Sequence, residues 1–355
     1  MFDNFFRDKR VFLTGHTGFK GAWFCLWLYR LGARVTGYSL APPTEPSLWH
    51  LAGVDELVHS VTGDVRNHEL LEVTLRDAAP DIVIHMAAQA IVLDSYADPI
   101  TTYSTNIMGT VNLLEAVRRT TGIKAVIVVT TDKCYENREW VWGYREDEPL
   151  GGHDPYSSSK ASAELVSAAY RRSFFAEKPG GPSLATVRAG NVIGGGDWAK
   201  DRLIPDCVRS LTAGEKLLVR NPSAVRPWQH VLDALAGYLL LAKRLTEEGT
   251  AFAEAWNFGP SDEDARPVRW IVEGFANQIA EFEWEQDKAF QPHEAHFLRL
   301  DSAKARSRLG WTSRWPLERA LEETLSWYGA WRNGQDMREV SLGQIAAYEK
   351  GVQER

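Results

Sequence analysis

Val11-Phe12-Leu13-Thr14-Gly15-His16-Thr17-Gly18-Phe19-Lys20-Gly21 sets the architecture of the whole chain. Its first four residues read as a short strand, and Ala22-Trp23-Phe24-Cys25-Leu26-Trp27-Leu28 continues as an apolar helix. Between them, Gly-x-x-Gly-x-x-Gly is a compact dinucleotide fingerprint. Bare backbone at Gly15, Gly18 and Gly21 lets a pyrophosphate approach, and the helix N-terminus receives its charge. Thr17, Phe19 and Lys20 belong to the same cofactor-binding turn.

The next strand, Arg34 to Ser39, should end in an acid that holds the adenosine ribose, but Ser39 stands there, which leaves NAD against NADP open. Asp64 and Val65 follow a short apolar lead, and Asp64 is either an adenine contact or a turn aspartate. A strand from Asp81 to His85 runs into Met86, Ala87, Ala88 and Gln89, small enough on the whole for a cofactor to lie across them. A helix follows from about Asn106 to Thr120. Asn106 either bonds main chain near a catalytic lysine or is an ordinary helix-face residue.

The β-branched run Ala125 to Val129 reads as a strand buried on both faces. It delivers Thr130, Thr131, Asp132 and Lys133 to the carboxyl edge of the sheet, where open α/β folds keep their chemistry. Asp154 and Pro155 are helix-start residues, so Tyr156 and Lys160 fall four apart on one helix face. A tyrosine titrates near 10, so its use as a base needs stabilisation of the phenolate at about 1.4 kcal/mol per pH unit. A lysine one turn away supplies part of it.

Strand and helix alternate from Val11 to Lys160, which predicts an α/β fold: a Rossmann-type doubly wound parallel sheet with a smaller mixed α/β C-terminal substrate domain. The expected division is 1–187 with a returning segment near 230–260 for the dinucleotide, and 188–229 with 261–355 for the substrate. In the latter, Asn191 to Trp198 is a glycine-rich loop that opens no regular helix and reads as a substrate loop. Arg202, Arg220, Arg226 and His296 follow, among tryptophans. Arginine forks suit a diphosphate and tryptophan faces suit a sugar or base, while solvated arginines and core tryptophans are the alternative.

The 355 residues carry a formal charge of −7, which argues against nucleic acid or an anionic membrane as the main partner. The three cysteines, Cys25, Cys134 and Cys207, are widely spaced and suit a reducing cytoplasm. The first ten residues are too charged for a secretory signal core, and no apolar run is long enough for a membrane span. His293 and His296 lack a third ligand at metal spacing, so no metal is expected.

Taken together, the glycine turn, Thr131-Asp132-Lys133-Cys134-Tyr135-Glu136-Asn137, Tyr156 with Lys160, Arg188 to Trp198, Arg226-Pro227-Trp228-Gln229-His230 and Trp256-Asn257-Phe258-Gly259 resemble the extended short-chain dehydrogenase/reductases, specifically the nucleotide-sugar 4,6-dehydratases. Lysine in the third place of Thr-Asp-Lys resembles the branch that acts on CDP-glucose. The resemblance implies NAD as cofactor and Tyr156 as base at the C4 hydroxyl, with Thr131 beside it. It further implies Asp132 as acid to the C6 hydroxyl, Lys133 at the C5 proton, and Ser95 among the substrate contacts. It also implies a homodimer or homotetramer and a place in deoxysugar synthesis for surface polysaccharide. One departure stands out: Leu93 and Asp94 occupy a place where the family carries an arginine. A nucleotide-sugar 4-epimerase and a non-catalytic NAD-binding protein are the rival readings.

Overall fold

Successive side chains of the central strands point alternately into two separate cores, as a parallel sheet covered on both faces requires. Leu13, Ile84, Ile127 and Val187 enter one core, and Phe12, Val83, Val126 and Leu184 the other. The computed structural model describes residues 1–176, 180–279, 281–287 and 297–351.

The strands are β1 (Arg10–Thr14), β2 (Arg34–Ser39), β3 (His59–Thr62), β4 (Ile82–His85), β5 (Ala125–Val129), β6 (Ser183–Ala189), β7 (Asn191–Ile193), β8 (Leu217–Val219), β9 (Val225–His230), β10 (Ala255–Phe258), β11 (Ala265–Pro267) and β12 (Trp284–Gln286). Seven of them form one all-parallel sheet in the order β3-β2-β1-β4-β5-β6-β10. The order reverses between β1 and β4, the switch point at which such sheets open a crevice beyond their carboxyl ends. β10 arrives late in sequence to extend the sheet beside β6. The smaller C-terminal region adds a three-stranded sheet, β11-β9-β7, and a parallel pair, β12-β8.

Helix Phe19–Arg30 is buried along Gly21 to Leu28 because the C-terminal helix Met337–Lys350 covers the side turned from the sheet. Tryptophans fill much of the core. The indole N–H groups of Trp23, Trp27, Trp256, Trp311 and Trp327 donate to Gly195 O, Glu349, Phe252 O, Asp233 O and Ser341 respectively, so large apolar rings are buried with their polar edge satisfied. The glycines of the 194–196 loop are required by this packing too: a β-carbon on Gly195 would fall 2.0 Å from the Trp327 ring.

Helix Pro155–Tyr170 begins as the sequence indicates. The Asp154 carboxylate accepts from Ser157 N at 2.8 Å, and Pro155 occupies the first turn. The helix expected near Asn106 starts earlier, at Pro99 under an Asp98 cap, and passes through a π-helical turn, Ser104–Met108, into Gly109–Arg119. Among the described residues no helix is long and apolar enough to cross a membrane.

Candidate active site

A cleft of about 810 Å³ lies beyond the carboxyl ends of β1, β2, β4 and β5. The glycine turn forms its floor. Gly15 has φ +74°, and a β-carbon there would stand 2.7 Å from Ala87 N; at Gly21 it would stand 2.1 Å from Gly15 O. Gly18 caps the helix with no side chain over its N-terminus. This leaves a bare, positively polarised cradle that fits the pyrophosphate of a dinucleotide. Met86 N and Ala87 N donate to Thr14 Oγ1 at 3.1 Å each, fixing the wall on which the cofactor would lie.

At the end of β2, the Ser39 hydroxyl lies 2.9 Å from the Thr17 hydroxyl, placing two ribose-competent groups together at the cleft. The Asp64 carboxylate is engaged by Arg66 N and the Arg66 guanidinium, as in a turn, and Asp64 also lines the cleft. Val65 and Arg66 line the same end of the cleft. Asn106 accepts from Gln89 N at 2.8 Å and donates to Gln89 O and to the Ser159 hydroxyl, which locks the main chain at Gln89 to the residue preceding Lys160.

Thr131, Asp132, Lys133, Tyr156 and Lys160 all line the cleft. Thr131 Oγ1 donates to Asp132 Oδ1 at 3.0 Å, whereas Asp132 Oδ2 is buried without a partner. The side chain is buried beside the phenol of Tyr156. Burial pushes the Tyr156 phenol up to about 12; the Thr131 hydroxyl draws it back, and Arg202 acts in the same direction. Lys160 is brought down to about 8 by burial, with Glu164 opposing, and its Nζ donates to Val129 O at 3.1 Å. Lys20 also reaches this cluster, lowered to about 8 by burial and the Arg202 charge. Its side chain stands near the catalytic carboxylate as well as belonging to the phosphate turn.

The opposite wall carries Asn191, Arg202, Arg220 and Arg226. Asp197 holds Arg202 at 2.9 Å, and Asp201 lies 3.7 Å from Arg220. Arg226 is buried, and its Nη1 donates to Val225 O at 3.1 Å. One expected contact is corrected. Ser95 is fully buried and its hydroxyl donates to Val92 O at 2.6 Å, while Leu93, Asp94 and Tyr96 face the cleft instead. The Trp198 ring packs against Trp327, Tyr328 and Trp331 where the residue lines the cleft. The Thr130 hydroxyl is bonded to Glu164 and Val187 O, and the residue lines the cleft. His293 and His296 lie outside the described residues. Among the described residues no group of acids, histidines and cysteines is arranged to hold a metal ion, and all three cysteines are free and buried.

Residues 12–324 match the profile of the GDP-mannose 4,6-dehydratase family. The CDP-glucose 4,6-dehydratase of Salmonella typhimurium is 53% identical over 349 residues, 97% of either chain. A dTDP-glucose 4,6-dehydratase of Streptomyces antibioticus is 29% identical over 338 residues, 90% of this chain and 92% of the relative. Among solved structures, a dTDP-glucose 4,6-dehydratase from Streptomyces venezuelae with NAD bound superposes with a TM-score of 0.78 at 24% identity, covering 93% of this chain and 99% of that one. A UDP-glucose 4-epimerase from Stenotrophomonas maltophila, also with NAD, gives 0.79 at 19%, covering 92% and 99%. At these identities the structural likeness is one of fold.

Proposed function

This chain belongs to the GDP-mannose 4,6-dehydratase family, and on that basis we propose that it is an NAD-dependent hydro-lyase converting CDP-glucose to CDP-4-dehydro-6-deoxyglucose. The observation that carries the reading is the buried Asp132 carboxyl with one oxygen unpartnered, beside the phenol of Tyr156. An epimerase shares the fold but has no leaving hydroxyl to protonate, so that acid would have no task.

NAD, when bound, supplies the hydride acceptor for sugar C4 and the hydride donor for C6. Gly15, Thr17, Gly18, Phe19 and Gly21 would cradle its pyrophosphate, Ser39 and Val65 its adenosine, and Met86 to Gln89 its nicotinamide half. Tyr156 accepts the C4 hydroxyl proton, and Thr131 bonds the C4 oxygen. The resulting ketone acidifies C5–H. Lys133, as the free amine or through a water it holds, removes that proton while Asp132 donates one to the departing C6 hydroxyl. C5 regains a proton as C6 takes the hydride, and the proton taken up by Tyr156 is made good at Asp132 through solvent. Arg202, Arg220 and Arg226, with Asn191, hold the nucleotide diphosphate.

Residues 1–187 with 230–260 serve the dinucleotide, and the remainder the sugar nucleotide; β10 joining the large sheet supports that division. Ile100, Met108, Leu165 and Phe174 are exposed on the helices around Asn106 and after Tyr156, which supports a homodimer, or a homotetramer built from it. The free cysteines support a cytoplasmic setting, with the product entering deoxysugar synthesis for surface polysaccharide such as O-antigen. Incubation with CDP-, dTDP-, UDP- and GDP-glucose plus NAD, read by mass spectrometry, tests the function. Loss of one water from the CDP sugar alone is expected, and an isomer of unchanged mass would refute it.

A further inference from the structure

We propose that the buried Glu164–Arg188 pair is a positioning device for the active site, clamping the end of β5 to the catalytic helix and standing a carboxylate one turn from Lys160. Only its consequence for turnover rests on the dehydratase reading; the clamp itself does not.

Both side chains are 3 % exposed. Arg188 Nε and Nη2 each donate to the Glu164 carboxylate at 2.9 Å. The Thr130 hydroxyl donates to Oε1 at 2.5 Å and the Thr186 hydroxyl to Oε2 at 2.6 Å. Four donors thereby occupy the roughly four acceptor positions a carboxylate offers. One turn earlier on the same helix, Lys160 Nζ donates to Val129 O. Consecutive turns of one helix thus hold consecutive residues of one strand end, and the next residues are Thr131 and Asp132. Arg188 extends the grip: its Nη1 donates to Tyr135 OH at 2.6 Å, and Tyr135 OH donates to Asn257 Oδ1 at 2.8 Å. The loop that follows Lys133 is therefore tied to β6 and β10 by the same group.

A link that merely packed helix on sheet would be served as well by apolar side chains, since burying two charges carries a desolvation cost. What the carboxylate adds is a field. The groups around Lys160 are Glu164 on its own helix, Cys134 after the catalytic triplet, His85 at the end of β4 and Lys20 of the glycine turn. Around Glu164 stand Arg188, Lys160, Cys134 and Arg171. Of these neighbours, His85 is held neutral by burial, down to about 3, and the Cys134 thiol is pushed up by burial, so Glu164 is the standing negative charge that opposes the loss of the Lys160 proton.

The test compares wild type with Glu164→Gln and with Glu164→Gln/Arg188→Met, the double variant avoiding a stranded guanidinium and carrying the test if the single variant fails to fold. The titration of Lys160 is followed by side-chain NMR of isotope-labelled lysine, assigned with Lys160→Arg. Its midpoint should fall in Glu164→Gln, and fall by less in the double variant, which removes one charge of each sign. A midpoint that stays in place while thermal unfolding alone moves down would make the pair a fold staple and overturn the inference. With CDP-glucose, the alkaline limb of kcat should move down in pH alongside the NMR midpoint while KM holds; a limb that stays fixed would likewise count against it. Absence of turnover in the wild type would refute the proposed function, whereas the NMR comparison would still judge the clamp.

Discussion

Asp132 Oδ2 lies 3.1 Å from the point at which a β-carbon on Gly190 would stand, and that same carbon would fall 2.7 Å from Pro227 Cγ. Gly190→Ala must therefore displace either the proline or the carboxyl group. A drop in kcat of about tenfold or more is expected, equivalent to about 1.4 kcal/mol at the transition state. NAD binding, followed by quenching of tryptophan fluorescence, should be unchanged. A variant with full kcat would contradict the expectation and show that Pro227 yields while the carboxyl group keeps its place.

Replacing the acid itself separates the two halves of the reaction. Asp132→Asn keeps the shape and the hydrogen bond from Thr131 but has no proton of carboxylic strength to give. Rapid-mixing absorbance should show reduced nicotinamide accumulating while water release slows by about a hundredfold. Dehydration at the wild-type rate would remove Asp132 from the mechanism.

The phenol makes a prediction with a definite sign. Burial raises Tyr156 to about 12 and the Thr131 hydroxyl lowers it from where burial alone would leave it. Thr131→Val removes that assistance, so the phenol becomes a weaker acid and the rising limb of the kcat pH profile moves to higher pH. A limb that stays put or moves down would mean that Thr131 does not act on Tyr156.

Stability should fall on mild acidification. His16, His85 and His230 are buried neutral, brought down by burial to about 4, 3 and 3 from an ordinary 6.5. The unfolded chain binds protons at these sites that the folded chain does not. Their contribution is thus fully present above 6.5 and is lost progressively as pH falls toward 4 and 3, at about 1.4 kcal/mol per unit for each group. Urea unfolding at a series of pH values between 7 and 5 checks this, and a stability flat across that window would contradict it.

Much of this molecule was legible in its sequence because local chemistry dictates it. The glycine turn, the β-branched β5 and the Asp154-Pro155 helix start each carry their conformation in a short local stretch, and the parallel sheet follows from their alternation. The contents of the site were less legible, since they depend on which way side chains turn in three dimensions. Ser95 reads as a pocket hydroxyl but closes onto its own helix, and Trp198 reads as a stacking face but completes an aromatic cluster with residues more than a hundred positions away. Glu164 left one signal, an acid four residues beyond Lys160, but its partner Arg188 lies on another strand, where no spacing rule could have linked them.

The most direct test uses CDP-glucose carrying deuterium at C4, with the product analysed by NMR. The dehydratase account predicts the label at C6 of a 4-keto-6-deoxy sugar, moved there within one molecule. Deuterium found again at C4 of an isomeric CDP-hexose, with every oxygen retained, would contradict it.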